Sequence, residues 1–533
     1  MPELLPEPCT VALRGSSSHP AQFIHTQRFI HFIHIQRFDH FTLDGSFTSI
    51  NHCIKHLIHL GAFAMEDLAW KETRPGRWER PQSYLEKMNI LTRNVPKAAG
   101  RDNWAKNAVA RLGFHPSVED PAAYLRTAWK QVRYNHPEIA AFPYNGNYVY
   151  RVGDATSIAL WVSATFSVVE DKSVDELLGR IPRNEQMQCY FLPENGDVLI
   201  WSPHYRVDAR GAIFCLNHLI ESLVNMDPNL VFGGCAKNLT PSMEATLGIN
   251  NKSTPEAEAA VKKRLDALKP HRPVLDMAPK ISSTKPGYTK RHVIKFSRSD
   301  TNLVVSSCAV ASLAMVVVLH SALINSVAKL VPTTESRSFM ASFHSNLRVL
   351  IPEGTAPKHS PTSYTSIITT ELKVSPKTNF GSYYTELAPV YAKGYAPFLQ
   401  SSRLFHERLG ETLYGQDPPK GETDNQLQPR FAYLGVVNEQ VTKHVGEGLV
   451  EVKDFWLGAE TLSMQMMVHT WIWDGELNLS VTFNESYWDK ATAVALLQGM
   501  QDTLMELARG PKQMVPSARK FPSLTKMMSA VAL

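Results

Sequence analysis

One stretch, Val198–Val224, constrains the fold and the chemistry of this chain more than any other. It opens with the β-forming run VLIWS, which follows the turn-forming sequence Glu-Asn-Gly-Asp. A polar segment that contains Pro203 and Gly211 comes next, and apolar residues then recur at helical spacing. His204 and Asp208 therefore lie in a bend between a strand and a helix. There a reactive side chain can be exposed and still be held by rigid elements on both sides.

A histidine four residues before an aspartate is suited to general-base chemistry. The imidazole of His204 can accept a proton at neutral pH and return it later, while Asp208 can hold the loop or an arginine in place. No nucleophile motif of the GxSxG type lies nearby. The simplest reaction is therefore direct: His204 takes the proton of a substrate hydroxyl or amine, which attacks an activated acyl group. The spacing alone is weakly specific in a chain with 20 histidines, and His40 and Asp44 form a second, less favoured pair.

Composition indicates an ordinary soluble globular protein. A length of 533 residues predicts two or more packed units. The net charge is +5 and no long basic run occurs, which argues against a nucleic-acid partner. Six scattered cysteines without a CxxC pair predict reduced thiols, and the N-terminus lacks the pattern of a signal peptide, so we expect a cytoplasmic protein. Leu303–Leu319 is apolar but short for a membrane span, so we expect a buried helix and no membrane contact.

The chain divides into five segments, which are residues 1–64, 65–235, 236–290, 291–515 and 516–533. The first is rich in His, Phe and Ile and predicts a poorly ordered extension, or sequence absent from a native protein that starts at Met65. A histidine-rich metal-binding tract is the alternative for it, and no other metal site is expected. The second alternates helical and strand patterns. The third is a crossing segment that ends in a Pro/Lys/Ser-rich linker, the fourth forms a second packed unit, and the fifth is a tail.

Local patterns give an α/β fold with two subdomains of similar size. Ser157–Val169 predicts a strand, and the apolar run near Leu303–Val327 predicts one core helix. The pattern FMASFHSNLRVL predicts a strand that carries Arg348. His469 and Asp474 have the HxxxxD spacing, but they fall in a predicted strand and hairpin turn, so we set them aside as a catalytic pair.

Two separated motifs resemble the signatures of the coenzyme A-dependent acyltransferase superfamily, which includes chloramphenicol acetyltransferase, the plant BAHD enzymes and peptide-synthetase condensation domains. PHYRVDARG after a strand resembles its HxxxD loop, and VKDFWLGAE resembles its second signature, DFGWG. The segments LTPSMEATLG, YLGVVN and WDGELNLSVTFNESYWD further resemble the fungal trichothecene 15-O-acetyltransferase group. The chain departs from the pattern at Pro203, where many members have a second histidine, and at Gly211, where the glycine comes late. DFWLG also lacks the GWG run.

The resemblance implies two chloramphenicol-acetyltransferase-like subdomains with an active-site tunnel at their interface. His204 would be the general base, reached by the acyl-CoA from one end and by the acceptor from the other, without an acyl-enzyme. Asp208 would have a structural role and pair with an arginine, for which Arg348 is the candidate, and Gly211 would support the loop. Asp454 and Gly458 would shape the tunnel through the loop that crosses between the subdomains. Phe455 would support the site structurally, with plain core packing as the alternative.

The resemblance also implies the reaction. We expect a monomeric O-acyltransferase with acetyl-CoA as co-substrate and no permanently bound cofactor. Its acceptor would be a hydroxyl of a fungal secondary metabolite, with a trichothecene alcohol as the specific expectation. No motif or basic cluster indicates which residues bind coenzyme A. The alternative is a non-catalytic condensation-like module that serves as a binding surface.

Overall fold

The computed structural model describes residues 68–93, 100–227, 229–249, 253–269, 271, 273–279, 285–353, 359–414, 427–510 and 514. Segment 1–64, with His40 and Asp44, lies outside the described residues. Every described residue belongs to one compact unit, Gly61–Leu533.

Three β-sheets and a set of α-helices make up the described part of the chain. The strands are β1 (Lys71–Arg74), β2 (Arg77–Pro81), β3 (Lys106–Phe114), β4 (Phe142–Tyr144), β5 (Asn147–Arg151), β6 (Phe166–Val168), β7 (Gln188–Leu192), β8 (Asp197–Ser202), β9 (Thr289–Lys295), β10 (Arg337–Asn346), β11 (Thr365–Val374), β12 (Arg430–Val436), β13 (His444–Val445), β14 (Val450–Ala459), β15 (Met467–Trp473) and β16 (Glu476–Asn484). The helices are α1 (Tyr84–Thr92), α2 (Pro121–Asn135), α3 (Ala155–Thr165), α4 (Val174–Leu177), α5 (Ala209–Ser222), α6 (Met243–Thr246), α7 (Pro255–Asp266), α8 (Arg298–Val310), α9 (Met315–Leu330), α10 (Phe380–Lys393), α11 (Ser402–Tyr414) and α12 (Lys490–Arg509).

The first large sheet has the strand order β13-β14-β3-β8-β7-β6 and carries the HxxxD stretch. Every residue of β8 is buried, as its run of β-formers predicts, and β7 and β8 pair antiparallel across the expected turn. Helices α2, α3 and α5 share one apolar cluster with this sheet, in which Trp129 stacks on Trp161 at a ring distance of 5.5 Å. The HxxxD loop thus leaves the end of a fully buried strand.

Strand β14 connects the two halves of the chain. It lies in the sequence segment 291–515, yet it pairs antiparallel with β3 of the first large sheet. Sheet membership therefore does not follow the sequence division at 290, because two strands of the later segment, β13 and β14, belong to the sheet of the earlier one. The pairing of β14 with β3 ties the two halves through main-chain hydrogen bonds.

The second large sheet has the order β11-β10-β12-β15-β16-β9. One of its faces packs on α9 and α12 through an apolar row that contains Phe343, Phe431, Val468 and Val481. Because side chains alternate along a strand, the neighbouring residues of these strands project from the opposite face. That second face carries polar side chains. A smaller sheet, β1-β2-β5-β4, completes the described fold.

The structure corrects the strand predicted at Ser157–Val169. Most of this stretch is helix α3, and only Phe166–Val168 is a strand. The Asp154 side chain caps the helix by accepting a hydrogen bond from the Ser157 amide at 2.7 Å. The buried helix residues are Ile158, Trp161, Val162 and Thr165. Their spacing is helical, but the high content of β-formers outweighed it in the sequence-based prediction.

The single core helix predicted near Leu303–Val327 is also corrected. Helices α8 and α9 meet at an angle of 110°, and Ser312 between them has a positive φ of 56°. Helix α9 is buried over most of its length in the core of the second sheet. Within the described ranges no single helix is long and apolar enough to cross a membrane, although the bent α8–α9 pair passes that test by length and composition.

The turn between β7 and β8 yields a stability prediction. Gly196 has a φ of 68°, and a Cβ there would overlap the carbonyl oxygen of Leu112. Gly146 has a φ of 77°, but a Cβ there would meet nothing within 4 Å. Both Ala substitutions incur the left-handed backbone cost of about 1 kcal/mol. We expect Gly196→Ala to lower the free energy of unfolding by roughly 2 kcal/mol more than Gly146→Ala, because of the added overlap. Urea unfolding of the two variants measures the difference, and equal losses would contradict it.

Candidate active site

The HxxxD loop begins at an edge of the first large sheet, where the ends of β8 and β14 and the start of β3 lie in one row. Lys106, the first residue of β3, pairs with Ser202 at the end of β8 and with Ala459 at the end of β14. Because β3 runs antiparallel to both β8 and β14, these two strands run parallel to each other. They end at the same edge of the sheet, where β3 begins. His204 follows Ser202 by two residues. The two sequence motifs are therefore brought to the same edge of one sheet, with β3 between them.

His204 is held as a neutral imidazole. Its Nδ1 lies 3.2 Å from the carbonyl oxygen of Val207, which can only accept, so Nδ1–H donates and Nε2 carries the lone pair. Burial lowers the pKa of His204 well below its ordinary value, and the positive charge of Lys106 and the neighbouring His344 lower it further. The side chain nevertheless retains some solvent-accessible surface. Nε2 is thus available as a proton acceptor at neutral pH.

Asp208 is buried and faces away from His204 through three hydrogen bonds. It caps α5 by accepting from the Gly211 amide at 2.7 Å. Its other oxygen accepts from the Tyr364 amide at 2.8 Å and from Nη1 of Arg348 at 2.7 Å. The last two partners belong to the second half of the chain. Asp208 therefore connects the start of α5 to the region between β10 and β11.

Arg348 lies in a 3-10 turn, Leu347–Leu350, directly after β10, rather than within a strand as the sequence predicted. Asn346 starts this turn by accepting from the Arg348 amide at 3.2 Å. The Arg348 guanidinium is buried, with 4% of the residue exposed, and its Nη2 donates to the Thr362 carbonyl at 2.7 Å. A buried guanidinium of this kind requires a carboxylate partner, and Asp208 supplies it.

Gly211 lies where the two halves of the chain approach each other too closely for a side chain. A Cβ at this position would overlap the carbonyl oxygen of Thr362 and would lie 2.6 Å from Cγ2 of Val207. A side chain would therefore push apart α5 and the 362 segment. This explains why the glycine falls three residues after Asp208, at the first turn of the helix, in place of the position directly after it.

The remaining loop residues are anchored on the other side. The Tyr205 hydroxyl donates to the Glu185 carboxylate at 2.5 Å, and Arg206 donates from Nε to the Glu185 carbonyl at 2.6 Å. Arg206 also donates from Nη1 to the Glu138 carbonyl at 2.9 Å. His204 thus lies between neighbours that are fixed by Glu185 and Glu138 on one side and by Arg348 on the other, and it is left for a substrate.

Comparisons with known proteins agree with this architecture. No family model matches the sequence. The O-acetyltransferase pigM of Monascus ruber is 26% identical over 447 residues, which cover 81% of this chain and 85% of pigM. The acetyltransferase pigO of the same organism is 25% identical over 82% of this chain and 98% of pigO. The solved structure of the TRI3 trichothecene 15-O-acetyltransferase of Fusarium sporotrichioides superposes with a TM-score of 0.70 at 13% identity, over 83% of this chain and 98% of that chain.

The sequence is similar to two fungal acetyltransferases, and the fold is that of the acetyltransferase structure with which it superposes. The α/β fold predicted from the sequence, with two subdomains, is confirmed, and so is the prediction of an acyltransferase enzyme. The acetyltransferase relatives favour an enzyme over the non-catalytic module considered for the sequence.

The DFWLG motif of this acyltransferase is a strand, not a crossing loop. Asp454 accepts two hydrogen bonds from Lys295 of β9, at 2.8 and 2.9 Å, and so ties β14 to the edge of the second sheet. Phe455 is fully buried, and its ring lies 6.1 Å from that of Trp471. A Cβ on Gly458 would lie 3.3 Å from Thr482. These residues join the two large sheets, and none of them contacts His204 in a described hydrogen bond.

Sequence reasoning missed three basic side chains around His204, which are Lys106, His344 and Arg430, and a fourth, His469, that interacts with Lys106 and His344. His344, Arg430 and His469 project from the polar face of the second sheet, since they alternate with the apolar row that packs on α9 and α12. They lie on strands far apart in sequence and form no motif. His469 did occur in an HxxxxD pair, but Asp474 sits in the hairpin turn and pairs with Lys443 at 3.0 Å.

The described residues of this acyltransferase hold no group of three or more His, Cys, Asp or Glu side chains that could bind a metal ion.

The Asp208–Arg348 pair gives a stability prediction. Asp208→Asn keeps the helix cap but leaves a buried guanidinium without its counter-charge, so we expect a loss of about 3–5 kcal/mol in the free energy of unfolding. Arg348→Met should cost a similar amount, and the double variant should cost clearly less than the sum of the two single changes.

Lys262→Met serves as the control, because the Lys262–Asp266 pair lies on an exposed helix face. It should cost less than about 1 kcal/mol. Urea denaturation of the four variants measures these values. Strict additivity of the two single losses would show that Asp208 and Arg348 do not act as a pair.

Proposed function

We propose that this enzyme transfers an acetyl group from acetyl-CoA to a hydroxyl of a secondary metabolite, with His204 as general base. Nε2 of His204 takes the hydroxyl proton while the oxygen attacks the thioester carbon. The same nitrogen then protonates the departing coenzyme A sulfur. Both substrates are bound together, and no acetyl-enzyme forms.

One observation carries this proposal, namely the fixed tautomer of His204. Because Nδ1–H donates to Val207, the lone pair on Nε2 is the only basic position that the ring offers. Asp208 cannot act as a relay to this imidazole, since its oxygens are engaged by Gly211, Tyr364 and Arg348. Asp208 and Arg348 are therefore assigned a structural role, and Gly211, Asp454, Phe455 and Gly458 support the site by close packing of its walls.

The acceptor is proposed from the relatives. The fungal acetyltransferases pigM and pigO support a secondary-metabolite acceptor. The structural likeness to a trichothecene 15-O-acetyltransferase supports trichothecene and related sesquiterpenoid alcohols as the first acceptors to test.

The direct test is a mass-spectrometric assay with acetyl-CoA and a panel of sesquiterpenoid alcohols. Wild type should add one acetyl group to an acceptor. His204→Gln should lower kcat by about 10²–10⁴-fold, the usual contribution of a general base. Wild-type turnover by His204→Gln would contradict the proposed role.

A binding control separates loss of chemistry from loss of the donor site. Coenzyme A should raise the melting temperature of wild type and of His204→Gln by the same amount, because the proposed base is not needed to hold the donor. A shift lost only in His204→Gln would mean that the residue binds the donor in place of acting on the acceptor.

The depressed pKa of His204 predicts the acid side of the pH profile. The base is active when it is neutral, so the rate falls only as pH drops through the pKa of His204. Burial and the nearby positive charge place that pKa well below the ordinary value near 6.5. We therefore expect log kcat/KM to stay level as pH falls from 7 to about 6, as measured in the same assay. An acid limb centred at or above the ordinary value would contradict the assignment.

A further inference from the structure

A buried lysine beside His204 has no direct partner. Lys106 is 6% exposed, and its ammonium makes no hydrogen bond or ion pair with any residue that the structure describes. An unpaired buried ammonium is costly, because the charge loses its hydration without a compensating contact. Such a group is retained where a counter-charge arrives with the ligand or develops during the reaction.

The backbone holds Lys106 rigidly against the HxxxD loop. It pairs with Ser202, two residues before His204, and with Ala459. Just before it, Trp104 adopts a strained φ of 64° and donates its amide to the Glu460 carbonyl at 2.7 Å. The start of β3 is therefore locked to the end of β14, and the Lys106 ammonium lies close enough to His204 for its charge to lower the pKa of the imidazole.

The other charges around Lys106 are already engaged or neutral. Asp208 is paired with Arg348, and Arg430 donates to Gln465 at 2.9 Å and lies over the Trp104 ring at 5.5 Å. Burial keeps both remaining imidazoles neutral: it lowers the pKa of His344 to about 3 and that of His469 well below its ordinary value, with a further lowering by Lys106. The site thus holds one free positive charge among the groups that the structure describes there.

The thioester carbon must approach His204 closely, since the attacking oxygen is within hydrogen-bond reach of Nε2. As the carbon–oxygen bond forms, the carbonyl π electrons move to the thioester oxygen and create a negative charge in the same space. A fixed cation in a water-poor site stabilises such a charge strongly.

We propose that the Lys106 ammonium stabilises this oxyanion, an assignment that rests on the proposed acetyl transfer. In the first step the acceptor proton goes to Nε2 of His204, and the oxyanion forms beside Lys106. In the second step the carbonyl re-forms, the carbon–sulfur bond breaks, and His204 returns the proton to the sulfur. Lys106 keeps its own proton throughout.

The same charge acts on the base. Lys106 lowers the pKa of His204, which keeps the imidazole ready to accept a proton. Burial is the main cause that lowers the pKa of Lys106 itself, to about 8. The charge of Asp208 opposes this lowering, and the charge of Arg430 adds to it. Lys106 therefore loses its charge as pH rises above 8. A basic limb of the pH–rate profile is assigned to this titration.

The test compares wild type with Lys106→Met and Lys106→Arg, with Lys453→Met, a change of an exposed lysine on β14, as the matched control. Lys106→Met should lower kcat by about 10²–10³-fold while the KM for acetyl-CoA changes little. Its basic limb should vanish, and its acid limb should move to higher pH as the pKa of His204 rises. Lys106→Arg should restore part of kcat and shift the basic limb beyond pH 10, because arginine keeps its charge. Lys453→Met should match wild type.

Several outcomes would overturn the assignment. Wild-type kcat in Lys106→Met, or a basic limb unchanged in that variant, would exclude Lys106 while leaving the acetyltransferase proposal intact. If Lys106→Met does not fold, the wild-type profile decides, because absence of a limb near pH 8 excludes the role. If wild type neither acetylates an alcohol nor hydrolyses acetyl-CoA, the proposed function fails, and this assignment fails with it.

Discussion

The buried ion pair between Asp208 and Arg348 is the interaction on which the site depends. It joins the start of helix α5, which follows the HxxxD loop, to the segment that follows β10 in the other half of the chain. Because both groups are almost fully buried, neither can be satisfied by water, and each requires the other. The position of His204 is thus set by a contact between regions 140 residues apart in sequence.

A second constraint comes from the sheet. Strand β14 inserts into the first sheet beside β3, so that its end lies in one row with Lys106 and Ser202. Two motifs more than 240 residues apart along the chain thereby share one edge. The ion pair fixes the loop from the helix side, and the strand row fixes it from the sheet side. Together they leave a neutral, partly buried imidazole between rigid walls, which is the arrangement that direct acyl transfer needs.

The strand–loop–helix setting of His204 could be predicted because its signals are local: β-formers, a turn and helical spacing. Arg348 was named as the candidate partner of Asp208 from the family resemblance, although its turn was not foreseen, since the run FMASFHSNLRVL has no clear end signal. The prediction of a strand at Ser157–Val169 was wrong because β-propensity was given more weight than the helical spacing of its apolar residues. Lys106, His344 and Arg430 could not be found, because only the tertiary crossing of β14 and the alternation of the second sheet bring them to His204.

The central claim is that the fold presents His204 as a neutral base with its lone pair on Nε2. The most direct measurement is ¹⁵N NMR of histidine-labelled protein, with the His204 signals assigned by difference from His204→Gln. We expect a neutral ring at pH 7, protonated at Nδ1, that titrates well below the ordinary histidine pKa. A ring that is already charged at pH 7, or one protonated at Nε2, would contradict it.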